Sequence, residues 1–372
     1  MSDEEPGTRT VITRTGSPRV AGDDRAHYLV VVEGAERGRR IELASSLVIG
    51  REEPASVVVA DSEVSRKHCK VALIMGEVFL TDLGSSNGTF VGGQRVTGSK
   101  IVAPGERFTI GGHVFEHEWR SRKEVEATRD LDSDIAKAGR YIRALLPPPV
   151  ADGPVRTDWV LQPSARLGGD AFGYHLIDER TFAIYLLDVT GHGADAAMHA
   201  VSVINVLRQT TLPGVDVRDP ARMARYVNDL FPMERHGNML ASLWYGVCDL
   251  ATRTLTFTSA GHHPAYLVAP GSQSPAPLDV GNVIIGMVPG HDFRTAQVAV
   301  PPGSSLYLFS DGAYEIATSD GRQWGIDDLV PLFSLPRQPG KGESQRVLEA
   351  VSARTGRQSF EDDFTLVVAT FT

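Results

Sequence analysis

The hydrophobic pattern changes character along the chain and divides the sequence into four parts. From about residue 27 to 120, short apolar runs such as YLVVVEG, LVIGR, KVALIM and EVFLTDL are separated by Gly, Asn and Asp. Runs of this length at close spacing are typical of strands in an all-β sandwich. The preceding residues 1–26 are rich in Thr, Arg, Gly and Asp and have no hydrophobic period, so we predict a disordered tail.

Residues 121–149 form a helical linker in this interpretation. Charged helix formers continue to residue 146, and three prolines then end the helix. Apolar residues recur at intervals of four, three, four and three: Leu131, Ile135, Ala138, Ile142 and Leu145. Such a seam fits a dimeric coiled coil, but it covers only about two heptads. A lone amphipathic helix packed on its own domain explains it equally well.

Residues 150–372 mix strands and helices. The runs WVLQPSA, TFAIYLLDV, TLTFTSA and FTLVVATF predict strands, and residues 194–209, 220–231 and 343–354 have helical periodicity. Strands outnumber helices and do not alternate regularly with them. This favours an α+β domain over a doubly wound α/β fold.

Composition and charge argue against several classes of protein, including nucleic-acid-binding, disulfide-rich and membrane-spanning proteins. The 372 residues carry 37 Lys and Arg against 46 Asp and Glu, a net charge of −9, so we expect no nucleic acid partner. The two cysteines, Cys69 and Cys248, are too few for a disulfide framework. The N-terminal residues MSDEEPGTRT are acidic where a signal peptide is basic, and no apolar run is long enough to span a bilayer. We therefore expect a cytoplasmic protein with no membrane segment.

Three short motifs in the β-rich part suggest an oxyanion site. They are Gly50-Arg51, Ser65-Arg66-Lys67-His68 and Ser86-Asn87-Gly88. Each alone has a structural explanation, since Asn-Gly between apolar runs is a hairpin turn signal. Together they offer a planar guanidinium fork, two hydroxyl donors and an amide, all in loops between strands.

These motifs, in this order, resemble the forkhead-associated (FHA) domain over residues 27–120. The resemblance implies an eleven-stranded sandwich that binds phosphothreonine peptides, with Gly50 and His68 shaping the loops. The residues that it assigns to the phosphate are Arg51, Ser65, Arg66 and Ser86, and Asn87 would hold the peptide backbone. The ligand would be a phosphothreonine protein or the chain's own phosphorylated tail, in which Thr8, Thr10, Thr13 and Thr15 lie among arginines.

Four acidic motifs in the α+β part lie far apart in sequence but next to strands. Asp188 follows the run FAIYLL, Asp311 follows LYLF, Asp362 precedes TLVV, and Asp170 ends a Gly-Gly-Asp triplet. A single Asp-Gly is commonly a turn, and a single Asp before a helix is commonly a cap. If the strands are neighbours, their ends would bring the carboxylates together, which a divalent cation bound by oxygen ligands makes tolerable.

The same motifs resemble the metal-dependent protein phosphatase (PPM, type 2C) family, in its bacterial SpoIIE-like branch, over residues 150–372. The resemblance also rests on Ala260-Gly261-His262-x-Pro264 and the terminal Asp-Asp-x-Thr. It implies an α-β-β-α sandwich with two Mg²⁺ or Mn²⁺ ions and a metal-activated water that hydrolyses phosphoserine or phosphothreonine in a protein, such as a sigma-factor regulator. The metal ligands that it implies are Asp170, Asp188 as the bridging residue, the Val189 carbonyl, Asp311 and Asp362.

Three positions depart from the family pattern. A second aspartate is usual where this chain has Gly173, and eukaryotic relatives have a phosphate-binding arginine where this chain has Ala165. The position of a proton-donating histidine in those relatives is Thr190 here. Gly173 sustains an alternative: a catalytically impaired phosphatase-like domain in a phosphothreonine-dependent adaptor. The intact set of four aspartates favours the enzyme.

Overall fold

The computed structural model describes residues 24–372, and the predicted phosphorylation sites of the tail lie outside this range. The chain divides into two compact units, with the division between Asp132 and Ser133. Among the described residues, no helix combines the length and the apolar character that a membrane span requires.

The first unit is built from eleven short strands within the described range. They are β1 (Arg25–Glu33), β2 (Arg40–Glu42), β3 (Ser46–Gly50), β4 (Val57–Val58), β5 (Cys69–Ile74), β6 (Glu77–Asp82), β7 (Thr89–Val91), β8 (Gln94–Arg95), β9 (Ser99–Ile101), β10 (Arg107–Ile110) and β11 (His113–Ser121). One sheet has the order β2-β1-β11-β10-β7-β8, and the other has the order β4-β3-β5-β6-β9. The predicted β-sandwich is thus confirmed.

The sandwich core comes from alternate strand positions that point inward. Leu29, Ile49, Val71, Leu80 and Phe115 are almost fully buried and belong to one apolar cluster. This alternation is what the period-two runs in the sequence predict, because successive side chains on a strand point to opposite faces.

Helix α1 (Arg122–Leu145) follows β11 directly and is largely exposed. The seam residues differ in exposure: Ile135, Ile142 and Leu145 are half-buried, whereas 60% of Leu131 is exposed. The part of the helix from Ser133 onward belongs to the second unit and packs closely within it, since a Cβ at Gly139 would lie 3.1 Å from the Arg166 carbonyl oxygen.

The second unit contains twelve strands and four further helices within the described range. The strands are β12 (Val155–Gln162), β13 (Ala171–Asp178), β14 (Thr181–Val189), β15 (Ala241–Asp249), β16 (Thr254–Ala260), β17 (Ala265–Val268), β18 (Ala276–Leu278), β19 (Ala296–Ala299), β20 (Ser305–Phe309), β21 (Ile316–Ala317), β22 (Gln323–Trp324) and β23 (Phe364–Phe371). The helices are α2 (Ala194–Leu207), α3 (Pro220–Leu230), α4 (Ile326–Leu329) and α5 (Glu343–Thr355).

These elements form four layers. The sheets β13-β14-β15-β16-β19 and β12-β23-β20-β17-β18 share an apolar core that includes Phe172, Trp244, Leu308 and Val367. Helices α2 and α3 cover the outer face of the first sheet, and α4 and α5 pack on the second. The predicted α-β-β-α arrangement is confirmed, and the antiparallel pairing agrees with the α+β class.

Candidate metal centre and phosphopeptide cleft

The four predicted aspartates lie near strand ends at one end of the α-β-β-α unit. Strands β14 and β20 end there, and their antiparallel neighbours β13 and β23 begin there. Ala171 pairs with Leu187, and the Val189 amide donates to the Gly169 carbonyl at 3.4 Å, so Asp170 and Asp188 are cross-strand neighbours. On the other sheet, Phe309 pairs with Leu366. This register brings Asp311 and Asp362 to the same end of the sheet.

The carboxylates at this end influence one another strongly. Burial raises the pKa of Asp188 to about 7, and the negative charges of Asp311, Asp362 and Asp363 add to the rise. Burial, and after it the charge of Asp188, raises the pKa of Asp170 well above its ordinary value. The pKa of Asp311 is raised by burial and by Asp362. The four predicted acidic residues therefore lie within one electrostatic neighbourhood.

This neighbourhood has the chemistry that a hard divalent cation requires. Its side-chain donors are all oxygens, which suit Mg²⁺ and Mn²⁺. Within residues 24–372, none of these aspartates forms an ion pair with Lys or Arg, so their charge is uncompensated. In that range, no group of three or more Asp, Glu, His or Cys side chains is arranged so that it could hold a metal ion by itself. The residues therefore fit a metal by their charge and by their donor type.

Three glycines give the site its close backbone packing. A Cβ at Gly168 would collide with the carboxylate of Asp363, and a Cβ at Gly312 would collide with the Asp363 carbonyl oxygen. A Cβ at Gly169 would lie 2.6 Å from the carbonyl oxygen of Val189, the predicted backbone ligand. Any larger residue at these positions would push the acidic segments apart.

Sequence reasoning missed the groups that hold the acidic segments in place. Buried Asp363 accepts hydrogen bonds from the Ser164 amide at 2.8 Å and the Ser164 hydroxyl at 3.0 Å. The Ser310 hydroxyl donates to the Asp363 carbonyl at 2.8 Å. Thr365 donates to Asp170 at 2.5 Å. The sequence offered one signal for these groups: Ser310 and Thr365 lie next to, or close to, the aspartates of the acidic motifs.

Of the three positions that depart from the family pattern, Ala165 and Thr190 are exposed, and the Thr190 hydroxyl donates to the Leu240 carbonyl at 3.2 Å. Gly173 lies on β13 opposite Tyr185, and a Cβ there would collide with the Tyr185 ring. His192 is exposed in the loop before α2. Arg166 lines a cavity of about 230 Å³ together with Asp170 and Asp363. In the crossover between the two sheets, His262 is buried and His263 is half-buried, and His263 stacks on Phe309 at 4.5 Å between ring centroids.

In the β-sandwich unit, all five predicted phosphopeptide residues line one cavity of about 370 Å³: Arg51, Ser65, Arg66, Ser86 and Asn87. Sequence reasoning did not assign Lys67, which adds a third cation to this cavity. Because the guanidinium and ammonium groups surround two serine hydroxyls, the cavity suits an oxyanion.

Buried His68 connects the loops of this cavity. Its Nδ1 accepts from the Ser65 amide at 3.1 Å, which leaves Nε2 to donate to the Gly88 carbonyl at 3.0 Å. The Ser86 amide donates to the Ser65 hydroxyl at 3.0 Å, and the Asn87 side-chain amide donates to the Glu63 carbonyl at 2.8 Å. A Cβ at Gly50 would collide with the Arg66 carbonyl oxygen, so glycine allows these loops to pack together.

Comparison with known proteins finds a matching domain model for a part of each unit. Residues 47–111 match the FHA domain model, and residues 178–372 match the model described as stage II sporulation protein E (SpoIIE). The second match covers more than half of the chain.

Similar proteins are known for both units. The phosphoserine phosphatase RsbP of Bacillus subtilis is 27% identical over 54% of this chain and 47% of its own length. The FHA domain-containing protein FhaB of Mycobacterium tuberculosis is 37% identical over 24% of this chain and 59% of its own length. The chain thus spans about half the length of the curated relatives that it matches.

A solved structure shares the fold of the second unit. The SiaA-PP2C domain of Pseudomonas aeruginosa aligns with a TM-score of 0.56 and 19% identity, over 66% of this chain and 99% of that domain. Since the SpoIIE model matches more than half of the chain, the chain belongs to the SpoIIE family; its second unit has the fold of the SiaA-PP2C domain, and an FHA domain precedes it.

Proposed function

We propose that this chain is a Mg²⁺- or Mn²⁺-dependent phosphatase of phosphoserine and phosphothreonine proteins, and that its FHA unit binds phosphothreonine partners. The observation that carries the proposal is the group of carboxylates without a Lys or Arg partner at one end of the α-β-β-α unit, where Asp170 is buried and Asp188 and Asp311 are half-buried. A phosphatase that contains such a group needs cations to offset both its own charge and that of a phosphoester.

In this proposal Asp170, Asp188, Asp311, Asp362 and the Val189 carbonyl hold two ions. When bound, these ions would supply the Lewis acidity that activates water and offsets charge on the phosphoryl oxygens. Thr365 orients Asp170 through its hydrogen bond, and Asp363 holds the Ser164–Gly168 segment against the site. The chain thereby supplies a preorganised set of oxygens.

The substrate class is carried over from the relatives. RsbP is a phosphoserine phosphatase by name. A phosphorylated sigma-factor regulator is the target that we propose from the SpoIIE-like branch. The FHA cavity would bind a second phosphorylated protein, or the chain's own tail, through Arg51, Ser65, Arg66, Ser86 and Asn87. A homodimer through α1 remains a prediction that sedimentation velocity of the full chain would test.

The deciding experiment measures hydrolysis of p-nitrophenyl phosphate and of a phosphoserine peptide with Mn²⁺. The wild type should be active, and Asp188→Asn should lower the rate at least a hundredfold. Asp134→Asn is the matched control, because exposed Asp134 pairs with Lys137 on α1. Mn²⁺ should also raise the thermal unfolding temperature of the wild type more than that of Asp188→Asn.

A second function, the phosphothreonine-dependent adaptor, is favoured by two observations. Gly173 replaces a family aspartate, and no group of three or more Asp, Glu, His or Cys side chains within residues 24–372 is arranged so that it could hold a metal ion by itself. The adaptor predicts wild-type hydrolysis no faster than that of Asp188→Asn, together with phosphothreonine peptide binding that Arg51→Ala abolishes. Activity in the wild type would eliminate this alternative.

A further inference from the structure

A cavity of about 230 Å³ connects α1 with the candidate metal centre. One wall is the C-terminal half of α1, including Arg140 and Arg143, and the opposite wall is the segment that leads to Asp170. Asp170 and Asp363 also line it. A cavity that reaches the carboxylates from one side offers a path for the phosphorylated side chain of a substrate.

Three arginines line this cavity, Arg140, Arg143 and Arg166, and they differ in how they are bound; Arg166 has a partner of its own. Arg143 donates to the Leu161 carbonyl at 3.4 Å, so part of its guanidinium is engaged. Arg140 is exposed and has no hydrogen bond or ion pair with any residue in the range 24–372. Although Asp170 and Asp363 line the same cavity, Arg140 forms no ion pair with either of them. Its five N–H donors are therefore available to an incoming anion.

The backbone of Arg140 is held by packing next to it. A Cβ at Gly139 would lie 3.1 Å from the Arg166 carbonyl oxygen and 3.5 Å from the Leu167 side chain, so the helix approaches this segment closely. A guanidinium carried on a packed helix is a better-defined anchor than one on a free loop. Its planar fork matches two phosphoryl oxygens.

We propose that Arg140 is a substrate-positioning residue that donates hydrogen bonds to the phosphoryl oxygens of the phosphoprotein at this cavity. The inference rests on the proposed phosphatase function and adds a residue from the linker helix to its substrate site. Because the contact forms when the phosphate binds and persists during reaction, its loss should raise KM much more than it lowers kcat.

The test compares Arg140→Ala, Arg140→Lys and the control Lys137→Ala, which removes one positive charge from the same helix at a residue paired with Asp134. All three are made in an Arg51→Ala background, so that the FHA cavity does not bind the probe. With Mn²⁺ and p-nitrophenyl phosphate, Arg140→Ala should raise KM about tenfold, the low end for a charge-assisted hydrogen bond. Arg140→Lys should raise KM about threefold, and Lys137→Ala should raise it less than twofold.

Calorimetric titration with inorganic phosphate in the presence of Mn²⁺ measures the same contact without turnover. Arg140→Ala should weaken phosphate binding about tenfold with an unchanged unfolding temperature. The inference is overturned if Arg140→Ala and Lys137→Ala give equal KM and phosphate affinity, or if Arg140→Ala lowers kcat alone. If the wild type hydrolyses nothing, the proposed function fails, while the phosphate titration still decides the role of Arg140.

Discussion

The Thr365 hydroxyl donates a hydrogen bond of 2.5 Å to the Asp170 carboxylate, and thereby ties the start of β23 to the residue that precedes β13. These residues are 195 positions apart, and the strands β13 and β23 beside them belong to different sheets. Both are buried. In a region where burial and neighbouring charges raise the pKa of Asp170, this bond opposes the rise and orients the carboxylate.

Replacing Thr365 by Val should therefore disturb Asp170 without changing the volume of the side chain much. We expect a loss of about 1–3 kcal/mol in the free energy of unfolding, because a buried acceptor loses its donor. Phosphatase activity should fall at least tenfold. Urea unfolding and p-nitrophenyl phosphate assays measure both effects. Thr365→Ser keeps the hydroxyl and should recover most of the activity; equal losses in the two variants would contradict the role of the hydrogen bond.

Gly168→Ala tests the close packing around Asp363. The added methyl group would collide with the Asp363 carboxylate, so we expect about 1–3 kcal/mol of destabilisation and a marked loss of activity. Gly325→Ala is the control, since a Cβ there meets no atom within 4 Å and its φ is negative. The unfolding temperature of Gly168→Ala should be lower than that of Gly325→Ala. Similar unfolding temperatures would contradict the prediction, because they would show that the Gly168 segment accommodates a methyl group without loss of stability.

Much of the fold is encoded in local patterns. The strands β14, β16 and β23 have the bounds of the runs TFAIYLLDV, TLTFTSA and FTLVVATF, because turn residues or charged residues flank these apolar segments. The strand predicted from WVLQPSA lies earlier in the chain, at Val155–Gln162. Pro163 has no N–H for the ladder, and the polar residues before Trp159 pair with β23 instead.

The site was predictable only in part, for reasons of geometry. Motif spacing identified the aspartates, but it could not distinguish Asp362 from Asp363, which are adjacent in sequence. In the structure Asp362 is exposed, whereas Asp363 is buried and bonded to Ser164. The metal-ligand assignment of Asp362 stays a prediction. Contacts between residues almost 200 positions apart, such as Asp363 with Ser164, depend on strand order, which no local pattern contains.

Restoring the family aspartate at position 173 should not restore a metal site. The side chain would enter the space of the Tyr185 ring, which stacks on Tyr245 at 5.7 Å between centroids. We expect Gly173→Asp to destabilise the protein by at least ~2 kcal/mol, through overpacking and burial of a charge. Urea unfolding of Gly173→Asp, Tyr185→Leu and the double variant forms a cycle. The double variant should lose at least ~1 kcal/mol less than the sum of the single losses; strict additivity would show that the two positions do not compete for space.

Asp82 provides a test of pH dependence in the FHA unit. Burial alone would raise the pKa of this carboxyl, but hydrogen bonds from Ser85, Thr89 and the Gly84 amide lower it to about 2. The ordinary value is 3.8, so the folded state binds the proton less readily than the unfolded state. The stabilisation is therefore complete above about pH 4 and is lost as the pH falls toward 2.

Because these bonds brace the loop that carries Ser86 and Asn87, Asp82→Asn should cost about 1–3 kcal/mol in the free energy of unfolding at neutral pH and should weaken phosphothreonine peptide binding. Between pH 4 and pH 2 the wild type should lose this advantage, and its unfolding midpoint in urea should converge with that of the variant. Asp134→Asn is the control, since exposed Asp134 pairs with Lys137 outside the FHA loops. A stability difference between wild type and Asp82→Asn that stays constant across this pH range would refute the bracing role of the carboxylate.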